Sequence, residues 1–253
     1  MATTGSYYYG GQQGSGNSSW NSSAMKNLKK ISPVVQNHLK RVYLSLSCAL
    51  ASLAVGVYLH LLWNIGGILT AVGTIGAIVW LLSVPPTPYN EGKRVKLLMA
   101  AAALKGATLG PLVDVVIEID PSILVSAFVG TALAFACFSA SAILARRREF
   151  LFLGGILGSS VSILLWLQLA SGLFGGSMAV HTFEIYFGLL VFLGYIIFDT
   201  QMIIERADLG DHDYVKHSLD LFTDFVAVFV RLLVILTKNA ESRSEKEKRK
   251  RRA

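Results

Sequence analysis

The chain has 253 residues, of which 53% are hydrophobic and 15% are charged, and its formal net charge is +7. Blocks of about 20 apolar residues recur along it, and this is the length that a helix needs to cross the hydrocarbon core of a bilayer. The composition excludes a pair of ordinary soluble domains and predicts an integral membrane protein. Most of the positive charge lies in residues 238–253, which contain eight Lys or Arg and three Glu, so it does not indicate nucleic-acid binding.

The chain begins with a segment rich in Gly, Ser, Asn, Gln and Tyr, a composition typical of disorder, and we assign residues 1–30 to a disordered polar tail. A bundle domain is predicted over residues 31–238, and a basic tail over 239–253. The apolar blocks predict seven helices in the bundle, over residues 42–63, 65–84, 97–117, 123–145, 150–174 and a final hairpin at 183–238. Glycine-rich stretches favour close packing of these helices.

Local breakers and caps support these boundaries. Three prolines between residues 85 and 88 end the second helix, because proline lacks an amide hydrogen and restricts the residue before it. In the sequence Asp120-Pro121-Ser122, the aspartate predicts an N-cap and the proline a first helical position. The fourth helix should therefore begin there.

The basic residues predict which loops share a side of the membrane. The N-terminus, the loops at 85–96 and 146–149 and the turn at 205–218 are predicted to be cytoplasmic. The turn at 114–121 and the loop after residue 174 are predicted to lie on the other side. Seven full crossings would place the basic tail away from the N-terminus, against the charge rule. Either the last helix is re-entrant, which leaves six spans, or packing of the bundle overrides the rule.

The last two helices carry one deep carboxylate each. Asp199 lies six residues before Glu205, and Asp224 lies five residues after Leu219, so both are roughly 8 Å from the same helix ends. An ionised Asp inside a bilayer costs about 2.5–3.5 kcal/mol and usually faces a partner or water. The matched depth predicts a pair that shares a proton. Two such carboxylates also offer oxygen ligands for a weak calcium site.

The last helix carries a stripe of polar residues. At 100° per residue, four of them lie within about 60° of one another: His217, Asp220, Asp224 and Arg231. This accessory stripe either lines an aqueous cleft, with Asp224 facing Asp199, or supplies structural hydrogen bonds inside the bundle. Arg231 is either a counter-ion of the carboxylates or reaches toward the far interface.

Other polar residues give weaker signals. Lys105 lies in the middle of the third predicted helix and needs a partner if it is buried. The sequence contains no HExxH, no G-x-S-x-G and no phosphate loop, so an enzyme is not predicted. Cys48 and Cys137 lie inside apolar segments without metal-site spacing, and no cofactor is predicted.

Several long stretches of the chain resemble the transmembrane Bax-inhibitor-motif family, and its land-plant members in particular. They include NIGGILT at 64–70, DPSILVSAFVGTALAFACFS at 120–139, YFGLLVFLGYIIFDTQMIIERA at 186–207 and DYVKHSLDLFTDFVAVFVRLLVIL at 213–236. The resemblance covers almost everything except the two tails. It implies an all-α fold, a seven-helix transmembrane bundle with the last helix packed centrally.

The resemblance also implies a site and a function. The aspartates of FDTQ and TDF, here Asp199 and Asp224, are expected to form a pH-sensing pair that controls a calcium leak, with calcium as the transported ion. Bacterial relatives hold the closed state with an arginine near the second and third helices, which makes Lys93 and Arg94 candidate latch residues. The basic tail is implied to bind calmodulin and membrane lipid through Lys246, Lys248, Arg249, Lys250, Arg251 and Arg252.

Two functional hypotheses follow for a multi-pass protein of the endoplasmic-reticulum membrane with a cytoplasmic N-terminus. In the first, the protein suppresses programmed cell death and acts as a pH-sensitive calcium leak gated by the two aspartates. In the second, it is a non-conducting membrane scaffold whose tails bind cell-death regulators. Neither hypothesis involves nucleic acid.

Overall fold

The computed structural model describes residues 32–145 and 150–252. These residues form seven α-helices and a 3₁₀ turn at Pro88–Asn90: α1 Pro33–Trp63, α2 Ile68–Ser83, α3 Glu91–Ile119, α4 Pro121–Leu144, α5 Leu153–Phe174, α6 Met178–Asp208 and α7 Tyr214–Arg252. The tail predicted at 1–30 and the arginines at 146–148 lie outside the described residues, as do the side chains at positions 248, 249, 251 and 252.

The chain is an all-α membrane protein, as predicted. Five described segments are long and apolar enough to cross a bilayer, judged by length and composition, namely Pro33–Trp63, Pro88–Ile119, Pro121–Leu144, Leu153–Phe174 and Met178–Asp208. Ile68–Ser83 is a shorter apolar helix. α1 begins nine residues before the predicted boundary at 42, and α6 begins five residues before 183. The apolar blocks mark hydrocarbon thickness, and backbone hydrogen bonding continues past them into polar sequence.

Side chains cap the starts of α1, α4 and α6, the last through Ser177. The Ser32 hydroxyl accepts a hydrogen bond from the Val35 amide at 3.3 Å at the start of α1. The Asp120 carboxylate accepts from the Ser122 amide at 2.8 Å, and Pro121 occupies the first position of α4. The cap predicted at Asp120 is confirmed.

The helices run alternately between two ends of the bundle. At one end, called the His38 end, His38 in the first turns of α1 contacts His217 in the first turn of α7. At the other, called the His60 end, His60 in the last turn of α1 contacts Asp114 near the end of α3. The described loops that were predicted to share the cytoplasmic side all lie at the His38 end.

α7 is the central helix, as predicted. It packs against α1, α3, α4 and α6, and it buries large apolar side chains such as Leu221, Phe225 and Leu233. It starts at the His38 end and reaches the His60 end, where Lys238 donates to the Thr182 hydroxyl at 2.7 Å. α7 therefore passes through the whole bundle and does not turn back as a re-entrant helix would. The basic tail leaves the bundle at the end opposite the start of α1.

α1 and α3 pack with their backbones in direct contact. A Cβ atom added at Gly56 would overlap the carbonyl oxygen of Ala103, and one added at Gly106 would overlap that of Leu53. Small residues at such crossings allow the van der Waals contact that holds helices together in lipid. This contact sets the position of α3, whose first turn reaches the candidate site.

Candidate functional site

The structure brings Asp199 and Asp224 together between α6 and α7. Their carboxyl groups are in hydrogen-bonding contact, and we call them the aspartate pair. α6 continues to Asp208 and α7 begins at Tyr214, so the connecting turn is shorter than the predicted 205–218. Counted from these ends, the two aspartates lie nine and ten residues into their helices, or roughly 14 and 15 Å. The pair is deeper than predicted, but its depths still match.

The aspartate pair is largely sheltered from solvent, with Asp224 buried and Asp199 half-buried. Asp224 is 4% exposed, and its Oδ2 has no hydrogen-bond partner in the described part of the chain. Asp220, one turn earlier on α7, is close enough to repel both carboxylates, and Arg206 on α6 is close enough to attract Asp199. Lys216 also acts on Asp220, but three carboxyl groups near two cations still disfavour full ionisation. A shared proton lets two touching carboxyl groups avoid mutual repulsion.

The predicted polar stripe on α7 divides between two neighbouring helices. Asp220, Asp224 and Arg231 lie on the side of α6, as expected. His217 instead faces α1, where its Nδ1 lies 2.9 Å from Nε2 of His38. At His217 the stripe therefore supplies a contact inside the bundle, the second of the two alternatives, because the start of α1 packs against the first turn of α7.

Arg231 is not a counter-ion of the aspartate pair. Its Nη1 donates to the carbonyl oxygen of Ala227 at 3.0 Å, and its guanidinium carbon lies 4.4 Å from the centre of the Phe192 ring. Gly188 on α6 leaves space for this position, since a Cβ there would overlap the guanidinium. Within the described residues, no carboxylate lies at ion-pair distance from Arg231.

The two candidate latch residues have different neighbours. Arg94 donates two hydrogen bonds of 2.7 Å to the carboxylate of Asp213, and both side chains are largely buried. Burial acts to raise the pKa of Asp213, but hydrogen bonds from Arg94 and the Lys216 amide outweigh it and hold that pKa below its ordinary value. Lys93 lies over the Trp80 ring on α2. Of the two, Arg94 alone ties α3 to the α6–α7 turn.

Three histidines, His38, His212 and His217, lie together beside this ion pair. The ring of His38 contacts both His217 and His212, with ring centres 5.1 and 5.6 Å apart. The buried Nε2 of His217 has no hydrogen-bond partner among the described residues, and it lies 3.8 Å from Oδ2 of Asp211. No group of three or more His, Cys, Asp or Glu in the described chain has the arrangement of a metal site. Calcium takes six to eight oxygen ligands, and the two carboxylates of the aspartate pair supply at most four.

Sequence reasoning missed the contacts that surround the aspartate pair. Tyr43 on α1 hydrogen-bonds to Ser139 on α4, and Ser139 lies 3.1 Å from the Thr200 hydroxyl on α6. The Gln201 carboxamide accepts from the Phe150 amide at 2.8 Å and donates to a carbonyl of α4 at 3.3 Å. The FDTQ motif thus binds neighbouring helices with the two residues after its aspartate. The sequence did contain a signal of these contacts, because Asp199, Thr200 and Gln201 are consecutive polar residues in an otherwise apolar helix.

The basic tail continues α7 as a helix to Arg252. Lys246 and Lys250 are exposed on it, and so are the residues at 241–245. Helical backbone with exposed basic residues is compatible with the predicted binding of calmodulin or anionic lipid.

Known proteins are similar to this chain along most of its length. The sequence model of a family described as "Inhibitor of apoptosis-promoting Bax1" matches residues 35–241. Bax inhibitor 1 of Arabidopsis thaliana is 63% identical over 89% of this chain and 90% of its own length. Bax inhibitor 1 of Oryza sativa is 58% identical over 95% and 96% of the two chains. The human protein of the same name is 43% identical over 90% and 97%.

Proposed function

The chain belongs to the Bax inhibitor family, and on that premise we propose that it suppresses programmed cell death from the endoplasmic-reticulum membrane and acts as a pH-sensitive calcium leak. The names of its relatives support the suppression of cell death, and the endoplasmic-reticulum location is what the family resemblance implies. The aspartate pair supports the pH-sensitive leak, with calcium as the ion that passes. The His38 end is proposed to face the cytoplasm, because it carries the basic residues Lys40, Arg41, Lys93 and Lys96.

The contact between the two carboxyl groups carries the gating proposal. With one proton between Asp199 and Asp224, a hydrogen bond joins α6 to α7 and closes the path at the His38 end. Gaining a second proton or losing the shared one breaks that geometry and favours the open state. Each unit of difference between the pair's pKa values in the two states shifts the equilibrium by about 1.4 kcal/mol.

The Arg94–Asp213 ion pair is proposed to act as a latch on the same gate. It joins the first turn of α3 to the turn between α6 and α7, roughly 16 Å from the aspartate pair along the axis of α7. Separation of α6 from α7 at this end moves that turn and strains the ion pair. The latch therefore adds to the cost of opening, and the aspartate pair supplies the response to pH.

The test is calcium efflux from liposomes that contain the purified protein, measured across a pH series. Asp199→Asn and Asp224→Asn should each change the flux and remove most of its pH dependence, because an amide cannot exchange the proton. Asp120→Asn is the matched control. It removes an exposed carboxylate at the other end of the bundle, and asparagine caps a helix as well as aspartate does. Wild-type flux and pH response in both pair variants would refute the gate.

A second candidate function, a non-conducting scaffold that regulates cell death through protein partners, is favoured by the helical extension of α7. This helix continues beyond the last bundle contact with exposed basic residues. Deletion of residues 239–253 separates the two functions. A scaffold should lose its protection of stressed cells, whereas a leak should keep its flux in liposomes.

A further inference from the structure

A cavity that contains two cationic side chains lies farther from the His38 end than the aspartate pair. Its volume is about 450 Å³, and it lies between α2, α3, α6 and α7. Most of its lining is apolar, including Leu109 and Phe192, and it reaches the outer surface at Ile75, which is exposed. Two cations line it, Lys105 from α3 and Arg231 from α7.

Both cations lie inside the bundle, away from its ends, and Arg231 lies nearer the His60 end than the His38 end. Lys105 is 14 residues from both Glu91 and Ile119, the first and last residues of α3, or roughly 21 Å from each. Arg231 is 17 residues from Tyr214, or roughly 25 Å into α7, and 7 residues, or roughly 10 Å, before Lys238 at the His60 end. The cavity therefore lies within the membrane-spanning region, on the His60 side of its middle.

Neither cation is neutralised by the protein. Within the described residues, Lys105 has no hydrogen bond or ion pair, and Arg231 has only the carbonyl oxygen of Ala227 and the face of an aromatic ring. The threonine hydroxyls in the lining, at positions 74, 108 and 223, donate to carbonyl oxygens of their own helices. A cation at this depth is costly unless it meets a partner or water. The cavity thus has two positive charges and no anion.

We propose that this cavity binds a long-chain fatty acid, with the carboxylate between Lys105 and Arg231 and the acyl chain along the apolar lining toward lipid. An arginine holds a carboxylate through two parallel hydrogen bonds, and a lysine adds a compact positive charge. A fatty acid enters hydrocarbon as the neutral acid, because the ionised form is costly there. Beside the two cations it ionises and releases its proton to water in the cavity.

Depth distinguishes this ligand from a phospholipid. Along their helices, Arg231 lies roughly 10 Å and Lys105 roughly 21 Å from the His60 end. A phospholipid would have to draw its charged phosphodiester and glycerol into hydrocarbon to reach them, whereas a single-chain acid has one small head group. The inference concerns ligand binding, and it does not depend on calcium flux or on the aspartate pair.

The test is equilibrium binding of radiolabelled oleate to the full-length protein in phosphatidylcholine nanodiscs. One oleate should bind each protein saturably, and Lys105→Met and Arg231→Met should each weaken binding by about 10- to 100-fold, the value of one charged hydrogen bond. Lys93→Met, which removes an equal charge over the Trp80 ring, should bind as the wild type does. Removal of a half-buried charge without an ion-pair partner should not lower the thermal unfolding temperature of either cavity variant.

Competitors identify the chemistry that is recognised. Unlabelled oleate should displace the probe, and oleyl alcohol of the same chain length should not. Non-saturable binding, equal binding in all variants, or displacement by oleyl alcohol would overturn the proposal. Displacement by phosphatidic acid at lower concentration than by oleate would overturn it too, and would assign the cavity to a phospholipid.

Discussion

The two ends of the bundle both bury histidines, but they hold them differently. At the His60 end, Nδ1 of His60 accepts from the Gly66 amide at 2.7 Å, so Nε2 carries the hydrogen and donates to Asp114 at 3.0 Å. Both ring nitrogens are thus used. At the His38 end, His217 contacts His38 through one nitrogen, and its other nitrogen is buried without a hydrogen-bond partner among the described residues.

The space around these histidines differs as well. A Cβ added at Gly66 or at Gly110 would overlap the His60 ring, so α1, α3 and the α1–α2 connection close tightly around it. At the His38 end, a cavity of about 380 Å³ lies between the first turn of α3 and the α6–α7 turn, beside Arg94, Asp213 and Tyr214. The His60 end is thus tightly packed, whereas the His38 end has free space and a buried polar atom without a partner. This difference supports the proposal that the bundle opens at the His38 end alone.

Loss of one partner of the Arg94–Asp213 pair should weaken the His38 end most. Arg94→Met leaves the Asp213 carboxylate without its counter-ion in a largely buried position, which costs about 3 kcal/mol of unfolding free energy. Adding Asp213→Asn to that variant should recover part of the loss, because no unpaired charge remains. Unfolding by SDS titration of the purified protein measures the wild type, both single variants and the double variant.

Lys93→Met is the control for this series, since Lys93 lies nearby but contacts α2, and it should cost under about 1 kcal/mol. A loss of that small size in Arg94→Met as well would show that the His38 end is not held by this pair. The comparison between a latched end and a tightly packed end would then fail.

Removal of the His60 ring should weaken the other end by a smaller amount. His60→Ala deletes two hydrogen bonds of a neutral ring and leaves a cavity, for a loss of about 2 kcal/mol. The same SDS titration measures it, with the exposed His181→Ala as control. The flux of His60→Ala should keep its pH response, because the proposed gate lies at the other end of the bundle. A changed pH response would mean that the His60 end moves with the gate.

Local sequence patterns predict much of this architecture. The apolar blocks, the Asp120 cap and the matched depths of the two aspartates are short-range features, and each has its counterpart in the structure. Their physical causes act within one helix or between chain neighbours. α7 differs because its central position was implied by resemblance to a family, and it is borne out by packing against four helices.

The contacts that hold the His38 end were not predictable in the same way. Arg94 and Asp213 are 119 residues apart in the chain, and His38 and His217 are 179 apart. A sequence identifies such residues as polar, but only helix packing selects their partners. The helical wheel placed His217 on the stripe with Asp224, but it could not show that His217 contacts α1, because a wheel contains no neighbouring helix.

The smallest effect is expected of mildly acidic pH on the coupling free energy between Arg94 and Asp213. The pKa of Asp213 lies below its ordinary value of 3.8, because the hydrogen bonds of its carboxylate outweigh the effect of burial. A carboxylate with a lowered pKa in the folded state adds stability that is complete above the unfolded pKa and is lost as the pH falls through the folded one. The coupling free energy of the four-variant cycle should therefore be equal at about pH 7.5 and about pH 5.5, and decline only below about pH 4.

This invariance separates the latch from the pH sensor. If the flux responds to pH between those two values while the coupling of Arg94 to Asp213 stays constant, protons act elsewhere at the His38 end, and the aspartate pair is the proposed place. His217 and Lys216 also lie beside Asp213, so His217→Gln is included to show whether a histidine charge alters the coupling. A coupling that already declines by about pH 5.5 in the wild type, but not in His217→Gln, would transfer pH sensing from the aspartates to the latch.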